Sequence, residues 1–202
     1  MGCDIHGIWQ TKNANNEWED VEDVNDNRNY RLFAILADVR NPGTITPICE
    51  PKGLPEDVFC SCKPPKDYMG YGSYCECNKI EDSYERERKY GDHSYSWLLA
   101  SEIDKYLINN PTIQLNYVVG RKDYDNPNKD PDDPYDYWCG GVGGPGIVVG
   151  KEIDGKVVPD NATHVDCIWS VKTTIAMYAF YEQFVRLKEE YKDLRLVFGF
   201  DS

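Results

Sequence analysis

The chain carries only three histidines, and two of them sit in polar company dense enough to do chemistry. His6 follows Asp4 by two residues, so on an extended strand both side chains share one face. A carboxylate and an imidazole on one face can begin a site for a divalent ion; equally, the carboxylate can simply satisfy a buried histidine. Asp92-His93-Ser94-Tyr95-Ser96-Trp97 gathers a carboxylate, an imidazole, two hydroxyls and an indole where a helix is expected to start. A helix N-terminus offers free N–H groups to an anion, and ordinary N-capping by Ser94 or Ser96 is the alternative use of the same residues. Arg28, beside Tyr30, and Arg40 can each fork onto a phosphate or carboxylate, or pair with the many acidic side chains at the surface. Tyr30 or Trp97 can stack a flat ring. His164 and Asp166 alternate on an expected strand and read as core or edge polar residues.

The eight cysteines divide into a cluster and a scatter. Cys60-Ser61-Cys62 and Cys75-Glu76-Cys77 bracket a segment rich in Pro and Gly, and residues 56–80 are expected to form an insertion clipped by zinc. Two short knuckles supply four thiolates for a tetrahedral ion. A segment with few aliphatic residues has no core of its own, and metal binding would supply its folding energy. Four thiolates leave no open coordination position, so this zinc would be structural, with disulfides or free thiols as the alternative. Cys3, Cys49, Cys139 and Cys167 read as small buried hydrophobes.

Composition narrows the partners. A formal net charge of −13 repels phosphate backbones, which argues against non-specific nucleic-acid binding and anionic membranes while leaving room for a local basic pocket. No apolar run is long enough for a transmembrane helix, and the opening residues lack the pattern of a secretory signal. A cytoplasmic address is expected, with thiols kept mostly reduced. Aromatic residues make up 13% of the chain, enough for core packing with wet edges or for a ring-binding pocket.

The elements that must position these groups are read from periodicity and punctuation. Cys3–Gln10 is expected as a strand, with Trp18–Val21 as its hairpin partner. Asn27–Val39 has the apolar spacing of a helix, ended by Asn41-Pro42-Gly43. Glu81–Lys89 is expected as a short helix. A further helix is expected from a Ser94 or Ser96 cap through Leu107, with Leu98, Leu99, Ile103 and Leu107 as its stripe. Ile113–Val119 reads as a strand, and Asp123–Tyr137 as an exposed acidic loop. Gly140–Gly146 reads as a flexible turn, since it lacks the P-loop and Rossmann spacings. Ile147–Ile153 and Lys156–Val158 flank Asp154-Gly155, a primed-turn hairpin. Thr163–Trp169 reads as a strand, Val171–Tyr191 as the longest helix with Ser170 as cap, and Leu194–Phe200 as a closing strand. The fold expected is α+β: residues 1–202 as a single domain, with one mixed or antiparallel sheet packed by about three helices and the zinc-binding loop inserted.

Several stretches resemble a family of uncharacterised proteins of phages and prophages. They are Met1-Gly2-Cys3-Asp4-Ile5-His6; Arg28-Asn29-Tyr30 running into Leu32–Asn41; Gly53-Leu54-Pro55; Asp92-His93-Ser94-Tyr95-Ser96-Trp97-Leu98; and Arg195-Leu196-Val197-Phe198-Gly199-Phe200-Asp201. The resemblance picks out Asp4, His6, Arg28, Tyr30, Arg40, Asp92, His93, Ser94 and Ser96. The family often carries an acidic residue near position 10, where this chain has Gln10, and the Cys60–Cys77 insert lies outside its pattern.

Three functions follow as expectations. The first is a phage-type pocket protein for a small anionic, nucleotide-like ligand, such as a sequestered host immune signal. Its ligand groups would be Arg28, Tyr30, Arg40, Ser94, Ser96 and Trp97. The second is a metal-dependent phosphoester hydrolase, in which Asp4, His6, Asp92 and His93 hold a second divalent ion that activates water. The third is a module that binds a host protein through the acidic loop and the zinc clip.

Overall fold

The protein is represented by a computed structural model that describes residues 2–25, 28–41, 43–58, 83–127 and 144–201. Among these residues it is mixed α and β, built on two four-stranded sheets where a single sheet was expected. The first has the order β2-β1-β8-β3, from strands β1 (Ile5–Lys12), β2 (Trp18–Asp23), β3 (His93–Leu99) and β8 (Leu194–Phe200), with every pairing antiparallel. The second has the order β4-β7-β5-β6, from β4 (Thr112–Gly120), β5 (Val149–Ile153), β6 (Lys156–Val158) and β7 (His164–Lys172). It is mixed, because β5 runs parallel to β7.

The central strand of the first sheet is Leu194-Arg195-Leu196-Val197-Phe198-Gly199-Phe200, buried at every position. A near-continuous apolar run suits a strand covered on both faces. On one face Leu196, Phe198 and Phe200 join Leu32–Ala37 of α1 (Tyr30–Ala37) and Phe180, Phe184 and Leu187 of α6 (Tyr178–Glu190). Trp9 completes this layer, stacked on Phe184, with its indole N–H donating to Gln183 Oε1 at 2.9 Å. Ile113, Leu115, Val165 and Val171 of the second sheet belong to the same apolar cluster. On the opposite face Val197 packs with Val58 and with Tyr90 of α2 (Ser83–Tyr90). Gly199 permits that approach, since a β-carbon there would strike the Tyr90 carbonyl and the Tyr95 ring.

Two expected helices are corrected. The helix placed behind a Ser94 or Ser96 cap starts later: residues 93–99 are β3, and α3 runs Ala100–Asn109. The Leu98–Leu107 stripe misleads because only Ile103 and Leu107 of it lie on α3, while hydrogen bonding to β8 holds Leu98 and Leu99 extended. The α3 start is closed by Glu102, whose carboxylate accepts the Leu99 backbone N–H at 2.9 Å. The long helix expected over Val171–Tyr191 is likewise shorter. Ser170 and Val171 remain in β7, paired with Gln114 and Ile113 of β4. A short α5 (Thr173–Ala176) then breaks at Met177 before α6.

Other expectations hold closely. β1 pairs with β2 as a hairpin, and β5 pairs with β6 across Asp154-Gly155, both at positive φ as a type I′ turn needs. α1 is capped by Asn29, whose side chain accepts from the N–H groups of Arg31 and Leu32. It ends at Asp38 in the left-handed conformation, a little before the Asn41-Pro42-Gly43 stop. The Cys60, Cys62, Cys75 and Cys77 clip, Cys139, and most of the acidic and Gly-rich loops lie outside the described residues. Among the described residues no helix is long and apolar enough to cross a membrane.

Candidate functional site

Sheet pairing brings the start of β1, the end of β8 and the start of β3 to one end of the first sheet. Ile5 and His93 both pair with Phe200. The Asp201 N–H donates to the Asp4 carbonyl at 3.1 Å, and the Asp92 N–H to the Phe200 carbonyl at 2.7 Å. Residues far apart in sequence thus meet because β8 accepts a neighbour on each side.

A linked set of charges occupies this corner. Arg28 forks onto Asp4, with Nε at 2.5 Å and Nη2 at 2.6 Å from its two oxygens. Asp201 accepts the Asp4 backbone N–H on Oδ1 at 2.8 Å, and His6 Nε2 lies 3.0 Å from its Oδ2. The Arg28 hydrogen bond holds the Asp4 carboxyl below the usual range. For Asp201, burial opposes ionisation, but the bonds from His6 and the Asp4 N–H outweigh it and lower its pKa. Tyr30 closes the floor, its hydroxyl accepting the Cys3 N–H at 3.4 Å while its ring meets Phe33 edge-on. Arg40 reaches the Cys3 thiol, whose pKa burial raises against the pull of that guanidinium.

The other expected ligand residues separate from this set. His93 pairs with Phe200 and stacks on its ring at 6.0 Å between centroids, whereas His6 pairs with Gly199. Neighbouring strand residues point to opposite faces, so the two histidines address opposite sides of the sheet. Ser94 lies 2.9 Å from His93 Nδ1 and takes a left-handed backbone at an irregularity in β3. Ser96 is fully buried, accepting the Lys52 N–H at 3.2 Å and bonded to Cys49. Trp97 lies under Lys52, whose ammonium is 4.4 Å from the ring centroid. Neither Ser96 nor Trp97 stands at a helix start, so the phosphate cradle expected of them is not formed. Asp92 lies 3.9 Å from His93.

Among the described residues no group of three or more His, Cys, Asp or Glu side chains is arranged to hold a metal ion. Asp4 is committed to Arg28 and His6 to Asp201, and Asp92 and His93 stand apart from them. Cys3, Cys49 and Cys167 are thiols.

His6 also lines a groove of about 520 Å³ with Ile5, Gly7, Ile8, Asp23, Val24, Arg88 and Lys89. That volume is typical of small-molecule sites. α2 supplies its cations: Lys89 is held to Asp20 at 2.8 Å, while the exposed Arg88 has no carboxylate partner among the described residues. A chain of strongly negative net charge thus places one exposed guanidinium, Arg88, beside His6, with Asp23 lining the same groove. Sequence reading took 81–89 only as a short charged helix. Arg88 and Lys89 enter the site because Tyr90 anchors the end of that helix over β8, and Asp201 enters because β8 ends beside Asp4.

A second groove of about 690 Å³ lies on the other sheet, lined by residues that include Asn116, Tyr124, Lys151, Glu152, Asp166 and Trp169. There Lys151 is 3.6 Å from Asp166 and Glu152 adds a further negative charge, so it does not favour an anion. His164 bonds to neighbouring Thr163 at 3.0 Å and stays with that sheet, away from His6.

Comparison with protein-family models, curated proteins and solved structures finds no match for this chain.

Proposed function

We propose that the protein binds a small anionic, phosphate-bearing ligand in the groove between β1, the end of β2 and α2. The observation that carries this reading is the exposed Arg88, with no carboxylate partner among the described residues, beside His6 along a cavity of ligand size, on a chain whose overall charge is −13. Arg28, forked onto Asp4 but 57% exposed at its side chain, is a second guanidinium, linked to His6 through Asp4 and Asp201. A guanidinium can fork onto a phosphate as it does onto a carboxylate. The resemblance to prophage proteins gives the reading its biological form, a cytoplasmic phage-type protein that holds a nucleotide-like host signal. In that form Cys60, Cys62, Cys75 and Cys77 hold a structural zinc ion.

Calorimetric titration with ATP and inorganic pyrophosphate tests it. Arg88→Ala is expected to weaken binding by tenfold or more, since a charge-assisted hydrogen bond contributes about 1.5–3 kcal/mol. Equal affinity of wild type and variant overturns the groove assignment.

A further inference from the structure

We propose that His6 is a general base, held ready by Asp201, and that the groove hydrolyses phosphodiesters without a metal ion. This rests on the binding reading above and adds turnover to it. Asp201 keeps its carboxyl ionised at neutral pH and therefore only accepts hydrogen bonds. The bond between His6 Nε2 and Asp201 Oδ2, 3.0 Å long, then fixes the proton of the neutral ring on Nε2 and leaves the Nδ1 lone pair as the basic site. A carboxylate that orients one imidazole nitrogen while the other stays basic is the arrangement general-base catalysis requires. His6 lines the groove, and no hydrogen-bond partner to Nδ1 is present among the described residues.

The charges facing His6 select the substrate class. Asp201 and Asp4 approach it from the ends of β8 and β1, Asp23 from β2, and Arg88 and Lys89 from α2. Lys89 is neutralised by Asp20 at 2.8 Å, leaving Arg88 as the cation available to the ligand. Arg88 is placed to pair with the negative charge of a phosphodiester. In the step, a water oxygen forms a bond to phosphorus as the P–O bond to the leaving alcohol breaks. The water proton passes to His6 Nδ1; the departing oxygen, on the far side of phosphorus, takes a proton from solvent where it needs one, and the imidazolium later releases its own to solvent.

The probe is bis(p-nitrophenyl) phosphate, with p-nitrophenolate release followed across pH 5–9 in the presence of a chelator and binding measured in parallel by calorimetry. The wild type is expected to turn over with a rate that rises with pH and is indifferent to chelation. His6→Ala is expected to lower kcat by a factor on the order of 10²–10⁴ with KM within a few-fold. Asp201→Asn is expected to lower kcat at least tenfold with KM within a few-fold, and Asp201→Glu, which keeps a carboxylate beside His6 Nε2, to recover part of the loss. A merely structural role for Asp201 leaves kcat of the folded Asp201→Asn variant at the wild-type value. Binding without turnover overturns the catalytic inference and leaves the binding reading intact; turnover abolished by the chelator or unchanged in His6→Ala also overturns it. Absence of both binding and turnover removes the two readings together.

Discussion

Asp201 Oδ2 lies 3.0 Å from His6 Nε2, while the other oxygen of the same carboxylate accepts the Asp4 backbone N–H at 2.8 Å. One side chain beyond the end of β8 therefore orients the imidazole and tethers the start of β1. The Asp4–Arg28 fork extends the linkage to the residue before the α1 cap.

This linkage has a defined pH signature. Asp4 and Asp201 both have carboxyl pKa values below their ordinary range in the folded chain. Between the ordinary value and the lowered one the unfolded chain binds more protons, so acid favours unfolding there. Their stabilisation is complete above the ordinary aspartate range and is lost as pH falls through the folded values. Denaturant midpoints measured down through that window are expected to fall less steeply in Asp4→Asn and Asp201→Asn than in wild type. An unchanged slope in both variants contradicts the linkage.

Ser96 and Trp97 are expected to matter for stability and not for ligand. Ser96→Ala removes the side-chain acceptor of the Lys52 N–H and a buried hydroxyl, a loss of about 0.5–1.5 kcal/mol for one hydrogen bond. The affinity of Ser96→Ala and Trp97→Ala for pyrophosphate should stay within about twofold of wild type, a difference under about 0.5 kcal/mol. A tenfold loss in either would restore them to the site.

The sequence carries the local parts of this fold more clearly than the pairings. The β1–β2 hairpin, the Asn29-led helix, the Asp154-Gly155 turn and the apolar run of β8 all have signals within a few residues. β3 does not, because its extended form depends on hydrogen bonds to a strand almost at the other end of the chain. Reading that segment as a helix placed Ser94, Ser96 and Trp97 at a helix N-terminus that does not exist. Asp4, His6, Arg28, Tyr30 and Arg40 do gather at one corner, since they precede or flank the two elements packed on β8. Asp201, Arg88 and Lys89 carry no local motif of their own. Strand order and the seat of Tyr90 bring them to the groove.

Tyr90 offers a test of the packing that seats α2. Its side chain is fully buried, its hydroxyl has no hydrogen-bond partner among the described residues, and burial pushes its phenol pKa well upward. Leaving a buried hydroxyl unpaired costs about 1–3 kcal/mol. Tyr90→Phe is therefore expected to raise the thermal midpoint, with Lys89 and Arg88 still in place and ligand binding retained. A lower midpoint would show that the hydroxyl has a partner in solution.

Mapping the bound probe by amide chemical shifts of isotope-labelled protein, titrated with pyrophosphate, tests the central claim most directly. The shifts are expected to saturate and to gather at Ile5–Ile8, Asp23, Val24, Arg88 and Lys89, and to vanish in Arg88→Ala. Shifts collected instead around Asn116, Lys151 and Trp169, or no saturable change anywhere, would contradict an anion site at the His6 groove.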